Sequence, residues 1–304
     1  MGKTLAPRTE DAPVACHNRR GEERPARVTG PAAGILRALA SRRSAILCYH
    51  GVARTSIDED PGSLCVAPER FRGQIELLRA AGYQFVTVAE LARRAGGSEP
   101  PPGLVALSFD DGMDNNHHVL LPILREHGIP ATVYVTTGLI GRPNPWMAPE
   151  SGARMMTVDE LRDLARAGVE LGAHTVTHPD LSTLAEHDCL REMVESREAI
   201  ERLVGVEVST FAYPFFKLSP AAIAAARRAG FEAAVTGDAR GSWAPFELKR
   251  SMITGKDGRP SFVLKVADAY DPLFYSAPGR VVRATTRSAR RRRRRTWERV
   301  AGRG

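Results

Sequence analysis

Short apolar runs alternate with amphipathic segments along the middle of the chain. The apolar runs are five to seven residues long and stop at Gly, Pro or polar residues, a pattern that predicts buried strands. The amphipathic segments between them have apolar residues at helical spacing. The predicted strands are 44–50, 84–88, 103–109, 131–136, 169–174, 209–214, 232–237 and 247–253. The predicted helices are 68–82, 117–128, 158–168, 186–204, 219–230 and 260–270.

Two of the predicted helices carry clear end signals. Thr157 precedes one of them and Glu160 follows three residues later, which is the capping-box spacing. Pro220 stands at the first position of another helix and Gly230 at its end. Strands that alternate with helices indicate a βα barrel or a doubly wound parallel sheet. We therefore expect one α/β domain over residues 44–275.

The two ends of the chain lack this pattern and hold its positive charge. Residues 1–43 carry a net charge of +5 and residues 280–304 a net charge of +10. Because the whole chain carries +8, the segment between them carries −7. Basic segments that are poor in apolar residues cannot bury a core. We expect disordered basic tails over 1–43 and 276–304.

The C-terminal tail contains six consecutive arginines, Arg290–Arg295. Such a run can contact nucleic acid or an anionic membrane, but a solvated tail is the more common outcome. If the run were the primary feature, the protein would be associated with nucleic acid. Removal of 280–304 would test that alternative.

Composition and cysteine usage indicate a folded protein in a reducing compartment. Hydrophobic residues make up 43% of the chain and charged residues 26%, so a sizeable core can form. The four cysteines include no C-x-x-C pair. The N-terminus has no apolar signal-peptide region, and no run approaches the roughly 18 apolar residues of a transmembrane segment. We therefore expect a cytoplasmic location.

Two adjacent carboxylates, Asp110 and Asp111, follow the apolar strand 103–109 directly. Active sites of βα folds are built at this end of the strands. The following Gly112 allows a turn that can bring both carboxylates to one site, where one can bind a metal while the other remains free as a base. Taken alone, an Asp-Asp-Gly sequence is as often a solvated turn.

Two histidines, His174 and His178, follow the end of another predicted strand. A spacing of four residues lets both imidazoles face one metal ion if the segment is a helical turn or a tight loop. Two histidines and one aspartate make a three-ligand set with an open position, which is typical of a catalytic metal. Two unrelated polar loop residues are the alternative.

A third strand end reads FAYPFF, with Tyr213 before a proline that turns the chain. The backbone N–H of Phe215 could point at a developing oxyanion, and both residues are candidate substrate contacts. Taken alone, this segment is more simply a strand that ends at a proline.

The order of these motifs resembles the polysaccharide deacetylase family, also called carbohydrate esterase family 4 or the NodB homology domain. The segments GIPATVYVTTGLIG and MTVDELRDLARAGVELGAHTVTHPDLSTL agree with it, and the resemblance covers roughly 44–270. It implies a distorted (β/α)7 barrel of the NodB type that holds one divalent metal ion, with zinc expected. It also implies that Asp110 is the catalytic base and that Asp111, His174 and His178 bind the metal.

Two positions depart from the family pattern. The arginine that usually orients the base is replaced by Ala212, and Arg250 on a late strand could supply the cation. The usual C-terminal histidine acid is missing, since no histidine occurs after His187. His50, at the end of the first strand, is the best candidate for the general acid. Equally, His50 could only hydrogen-bond the rim of the barrel.

These features predict a metal-dependent hydrolase that removes N-acetyl groups from an N-acetylated sugar or glycan. The main alternative is a catalytically impaired glycan-binding protein on the same barrel. His117 and His118 open a predicted helix, and we expect them to be solvated.

Overall fold

A computed structural model describes residues 43–237 and 242–268, together with Gly34. The predicted basic tails, including Arg290–Arg295, lie outside the described residues apart from Gly34 and Arg43. The boundary at residue 275 also lies outside them and stays a prediction.

Strands and helices alternate through the described residues as the sequence pattern predicts. The strands are β1 Ala45–Tyr49, β2 Gly51–Val52, β3 Cys65–Val66, β4 Gln84–Val86, β5 Leu104–Phe109, β6 Thr132–Val135, β7 Glu170–Ala173, β8 Thr210–Ala212, β9 Ala233–Thr236, β10 Leu248–Lys249 and β11 Ser251–Met252. The helices are α1 Pro68–Ala81, α2 Val88–Ala95, α3 Leu121–His127, α4 Val158–Arg166, α5 Glu186–Val204, α6 Pro220–Arg228 and α7 Arg259–Val266. A π-helix, Asn116–Leu120, leads directly into α3.

Most of the parallel strands form one nearly closed sheet, and β2 and β3 pair separately. The strand order of the large sheet is β10-β9-β8-β7-β6-β5-β1-β11, and β4 pairs with the first half of β5. Only Arg250 separates β10 from β11, so one stretch of chain pairs with β9 on one side and β1 on the other. This closure gives seven strand positions around the described barrel, with β4 beside them. The predicted (β/α)7 barrel is confirmed.

Alternation along the strands separates two apolar layers. Residues such as Leu47, Tyr49 and Phe109 belong to the large core between sheet and helices. Their neighbours Ile46 and Ala106 belong to a smaller cluster that fills the barrel. Successive side chains of a strand point to opposite faces of the sheet. The residues that lie two or four positions after an inner-cluster residue therefore also point into the barrel, at the carboxyl ends of its strands. This parity positions the functional site.

Four local details differ from the sequence expectation. Helix α2 was not predicted, although Thr87 caps it by accepting a hydrogen bond from Glu90 N. The helix predicted over 117–128 begins as a π-helix, and the strand predicted over 247–253 is interrupted at Arg250. The last predicted helix ends at Val266 instead of continuing to residue 270. Within the described part of the chain, no helix is long and apolar enough to cross a membrane.

Candidate active site

A buried ion pair joins the strand that closes the barrel to the strand that carries the two aspartates. Arg250 donates from Nη1 to Asp110 Oδ1 at 2.6 Å and from Nη2 to Asp110 Oδ2 at 2.7 Å. The Arg250 side chain is fully buried and that of Asp110 is 2% exposed. A two-point bond fixes the plane of the carboxylate as well as its position. The structure therefore places Arg250 where it can orient Asp110.

Arg250 is held from several directions. Its Nη1 donates to Ser108 Oγ at 3.1 Å, and its guanidinium carbon lies 5.5 Å from the ring centroids of both Tyr134 and Phe216. Burial alone would lower the pKa of Arg250, but the charge of Asp110, the hydrogen bonds to that carboxylate and other neighbours together raise that pKa. Arg250 is a fixed cation inside the barrel.

Asp110 remains ionised in this setting. Burial opposes ionisation, but the Arg250 guanidinium holds the pKa of Asp110 below its ordinary value, and His174 acts in the same direction. Cys48 donates a weak hydrogen bond from its thiol to Asp110 Oδ2 at 3.4 Å. Burial raises the pKa of the Cys48 thiol well above its usual range, so Cys48 is a neutral donor. Asp110 is an oriented carboxylate that can accept a proton.

Asp111 faces different partners, although it is the next residue in the chain. Its backbone has φ of +75°, in the left-handed region, and Gly112 follows with φ of +83°. This turn points Asp111 Oδ1 towards two imidazoles, 3.5 Å from His174 Nε2 and 3.4 Å from His178 Nε2. The oxygen is buried and has no hydrogen-bond partner among the described residues. An unpaired buried carboxylate oxygen is costly unless a cation binds it.

The orientation of His174 fits metal binding. Its Nδ1 donates to the backbone oxygen of Ala212 at 2.8 Å, which leaves Nε2 with the lone pair that faces Asp111. Burial alone would lower the pKa of His174, but the adjacent carboxylates raise it. The ligand atoms of Asp111, His174 and His178 all lie within 4.8 Å of one another. These residues therefore fit a three-ligand site for a divalent ion.

The loop that carries His178 is tied to helix α5 by Glu192. Glu192 Oε2 accepts hydrogen bonds from Val176 N at 2.8 Å and Thr177 N at 2.9 Å. His178 N donates to Thr175 Oγ1 at 3.0 Å, and His178 has φ of +59°. Left-handed backbone at a non-glycine residue persists only where surrounding contacts impose it. Glu192 and Thr175 hold the second imidazole in place.

His50 lies beside the two aspartates. His50 directly follows β1. The last residue of β1, Tyr49, is paired with Phe109, so His50 and Asp110 are the next residues on the two neighbouring strands. A protonated imidazole at this position would lower the pKa of both Asp110 and Asp111. His50 Nδ1 is buried without a hydrogen-bond partner among the described residues. The structure thus brings His50 to the site without assigning its role.

Aromatic residues border the imidazole of His178. Its ring centroid lies 4.8 Å from that of Trp146 and 4.7 Å from that of Phe215. Phe215 is 53% exposed and has φ of +57°. Phe215 is therefore an exposed aromatic residue at the border of the candidate site.

The Tyr213 side chain is not part of the site, which corrects the expected substrate contact. Tyr213 is fully buried in the outer core, and its hydroxyl donates to the backbone oxygen of Phe246 at 3.1 Å. Strand parity gives the reason: Ala212 belongs to the inner cluster, so its neighbour points outward.

Sequence reasoning missed Cys48 and Glu192. Strand parity could have placed Cys48, since it lies two positions before His50 on β1. No local signal marks Glu192, because it is one of several acidic residues on α5.

Comparisons with known proteins agree with this geometry. Residues 97–234 match the family model of polysaccharide deacetylases. YxkH of Bacillus subtilis is 24% identical over 192 residues, which is 63% of each chain. The poly-beta-1,6-N-acetyl-D-glucosamine N-deacetylase of Staphylococcus aureus is 24% identical over 176 residues, 55% of this chain and 59% of that protein. The matched region thus spans less than two thirds of the length of both relatives.

A solved structure supports the same assignment. The Streptococcus pyogenes deacetylase PplD, in complex with acetate, superposes with a TM-score of 0.63 at 25% sequence identity. The superposition covers 74% of this chain and 98% of that one. With its nearly closed parallel barrel and its aspartate and histidine motifs at the strand ends, this chain resembles polysaccharide deacetylases, whose family model matches residues 97–234.

Proposed function

We propose that the protein is a metal-dependent hydrolase that removes N-acetyl groups from an N-acetylated sugar or glycan. One observation supports the proposal above all: the two adjacent carboxylates contact different kinds of side chain. Asp110 is bonded to the buried cation Arg250, whereas Asp111 faces two imidazole nitrogens. This division supplies one oriented base and one metal ligand, the combination that hydrolysis of an amide requires.

Asp111, His174 and His178 would hold the divalent ion, with zinc expected from the two imidazole ligands and one carboxylate. When bound there, the ion supplies Lewis acidity towards the acetamide carbonyl and the attacking water. The hydrogen bond from His174 to Ala212 fixes which ring nitrogen faces the ion.

The remaining residues handle protons and charge. Asp110 takes the proton of the attacking water, and Arg250 keeps that carboxylate ionised and aligned. The Phe215 backbone N–H is proposed to stabilise the developing oxyanion. His50 is proposed to protonate the leaving amine, because it is the histidine beside Asp110 that is not assigned to the metal.

The substrate class is inferred from the name of a similar protein. The Staphylococcus aureus relative is named for poly-beta-1,6-N-acetyl-D-glucosamine. Oligomers of N-acetylglucosamine are therefore the first substrates to test. The exposed Phe215 ring at the border of the site offers an apolar face on which a sugar ring can stack.

The test is acetate release from zinc-loaded protein incubated with N-acetylglucosamine and with its β-1,6- and β-1,4-linked oligomers. We expect release from the wild type and its loss in Asp110→Asn. If neither linkage nor the monosaccharide yields acetate while the oligomers still bind, the glycan-binding alternative replaces this proposal.

The role of His50 needs its own comparison. His50→Ala should slow hydrolysis of an acetamide far more than that of an activated acetate ester, whose leaving group needs no proton. Metal content should not change. Equal losses on both substrates would remove His50 from the acid role.

A further inference from the structure

A second group of histidines and carboxylates lies outside the candidate active site. His117 and His118 lie on the π-helix, and Glu160 lies on the first turn of α4. Their side chains are 22%, 58% and 18% exposed. The exposure of His118 agrees with the solvated position expected from the sequence, and both rings also contact carboxylates. Short π-helical segments occur frequently at functional sites.

Asp163 fixes the tautomer of one ring. His117 Nε2 lies 3.1 Å from Asp163 Oδ2 and is hydrogen-bonded to it. An ionised carboxylate only accepts hydrogen bonds, so His117 Nε2 carries a proton and donates it. In the neutral form, His117 Nδ1 then carries a lone pair. His118 Nε2 lies 2.8 Å from Glu160 Oε1.

The two rings also contact each other, since His117 Nδ1 and His118 Nδ1 are 3.3 Å apart. If His118 Nδ1 donates to the lone pair of His117 Nδ1, the lone pair of His118 Nε2 faces Glu160 Oε1. Two acceptors 2.8 Å apart repel unless a cation lies between them. The cation is either a proton on His118 or a metal ion.

The spacing fits a metal ion. Two ligand atoms bound to one tetrahedral zinc at about 2.1 Å lie roughly 3.4 Å apart. Glu160 Oε1 lies 2.8 Å from His118 Nε2 and 3.9 Å from His117 Nδ1, and the ligand atoms of the three residues lie within 4.8 Å of one another. We propose that His117, His118 and Glu160 form a divalent-metal site of the zinc type, separate from the active site, which fastens the π-helix to α4.

Two features hold the proposed ligands ready. Glu160 Oε2 accepts hydrogen bonds from Thr157 N and Thr157 Oγ1 in the capping box, which leaves Oε1 free to face the histidines. Asp163 accepts from His117 Nε2, an arrangement that commonly orients zinc-binding histidines. The carboxylate and one imidazole are therefore positioned before any ion binds.

The test counts zinc ions. Full-length protein without a polyhistidine tag is stripped of metal and titrated with zinc by calorimetry, alongside His117→Gln/His118→Gln. We expect the wild type to bind one more zinc per chain than the double variant. Because the result is a difference between two proteins that share Asp111, His174 and His178, it does not depend on whether the active site binds metal.

Two further variants separate ligand loss from misfolding. Glu160→Gln keeps an acceptor for the capping box but removes the charged ligand, so we expect unchanged helix content and at least about tenfold weaker zinc binding at this site. His187→Gln removes an exposed histidine that contacts only one carboxylate, Asp188, among the described residues, and should keep the full zinc count. Equal zinc counts in the wild type and the double variant would overturn the proposal and leave a proton on His118 as the cation. Loss of the same zinc in His187→Gln would also overturn it.

Discussion

Two clusters in this protein combine two imidazoles with one carboxylate, and their surroundings differ. In the inner cluster, the side chains of Asp111, His174 and His178 are 3%, 3% and 10% exposed and are carried by strand ends. The outer cluster of His117, His118 and Glu160 is carried by helices and is partly open to solvent. Ligand type alone therefore does not distinguish a candidate catalytic site from a structural one.

The two clusters differ in whether a carboxylate that can act as a base lies beside them. Asp110 stands beside the inner cluster, and its charge is oriented by a cation that is itself fully buried. Beside the outer cluster, Asp163 is already engaged by His117 and by Arg166. Hydrolytic chemistry needs a proton acceptor next to the metal, so we assign catalysis to the inner cluster and a fastening role to the outer one. The following predictions would break or sharpen this distinction.

Removal of the base should have the largest effect. Asp110→Asn should lower kcat/KM for acetate release by about 10²–10⁴-fold, because a general base contributes on that order. It should retain the inner metal, whereas Asp111→Asn should lose metal as well as activity. Acetate assays and metal analysis of both variants check this. Identical metal loss in the two variants would show that the roles of the aspartates have been divided incorrectly.

Breaking the buried ion pair should cost stability. Arg250→Met should lower the free energy of unfolding by about 3–5 kcal/mol, because it leaves the Asp110 charge buried without its partner. Adding Asp110→Asn to this variant should recover part of the loss, since the unpaired charge is then gone. Urea unfolding of the single and double variants measures both effects. A double variant no more stable than Arg250→Met would mean that the unpaired Asp110 charge is not the cause of the loss.

The loop that carries His178 depends on Glu192. Glu192→Ala should weaken zinc binding at the inner cluster by about tenfold, the lower end of the effect of residues that support metal ligands. Glu195→Ala, an exposed acidic position on the same helix, is the matched control and should bind zinc as the wild type does. Competition with a chromophoric chelator gives both affinities. Equal weakening in both variants would point to helix charge as the cause.

The smallest effect should come from the support of the outer cluster. Asp163→Asn should weaken zinc binding there by less than about fivefold, since a partly exposed ion pair contributes little. Acetate release should not change. Titration and activity assays on the same preparation test the separation, and a large loss of activity would show that the two clusters are coupled.

The local sequence pattern was sufficient to predict the fold class and most residues of the candidate site. The alternation of strands and helices predicted the barrel, because the two hydrophobic periods are properties of consecutive residues. The ends of the predicted strands identified the candidate residues Asp110, Asp111, His174 and His178 for the same reason. Even the Tyr213 correction follows from strand parity, which local sequence contains.

Tertiary structure decided what depends on distant partners. Arg250 and Asp110 are 140 residues apart in sequence, and closure of the barrel brings them together. The left-handed turn at Asp111, which gives the two adjacent carboxylates opposite partners, persists because the surrounding fold imposes it. The approach of His117 and His118 to Glu160 likewise depends on how the π-helix packs against α4. The sequence by itself determined which chemical groups lie at the strand ends, and packing across the barrel determined which of them meet.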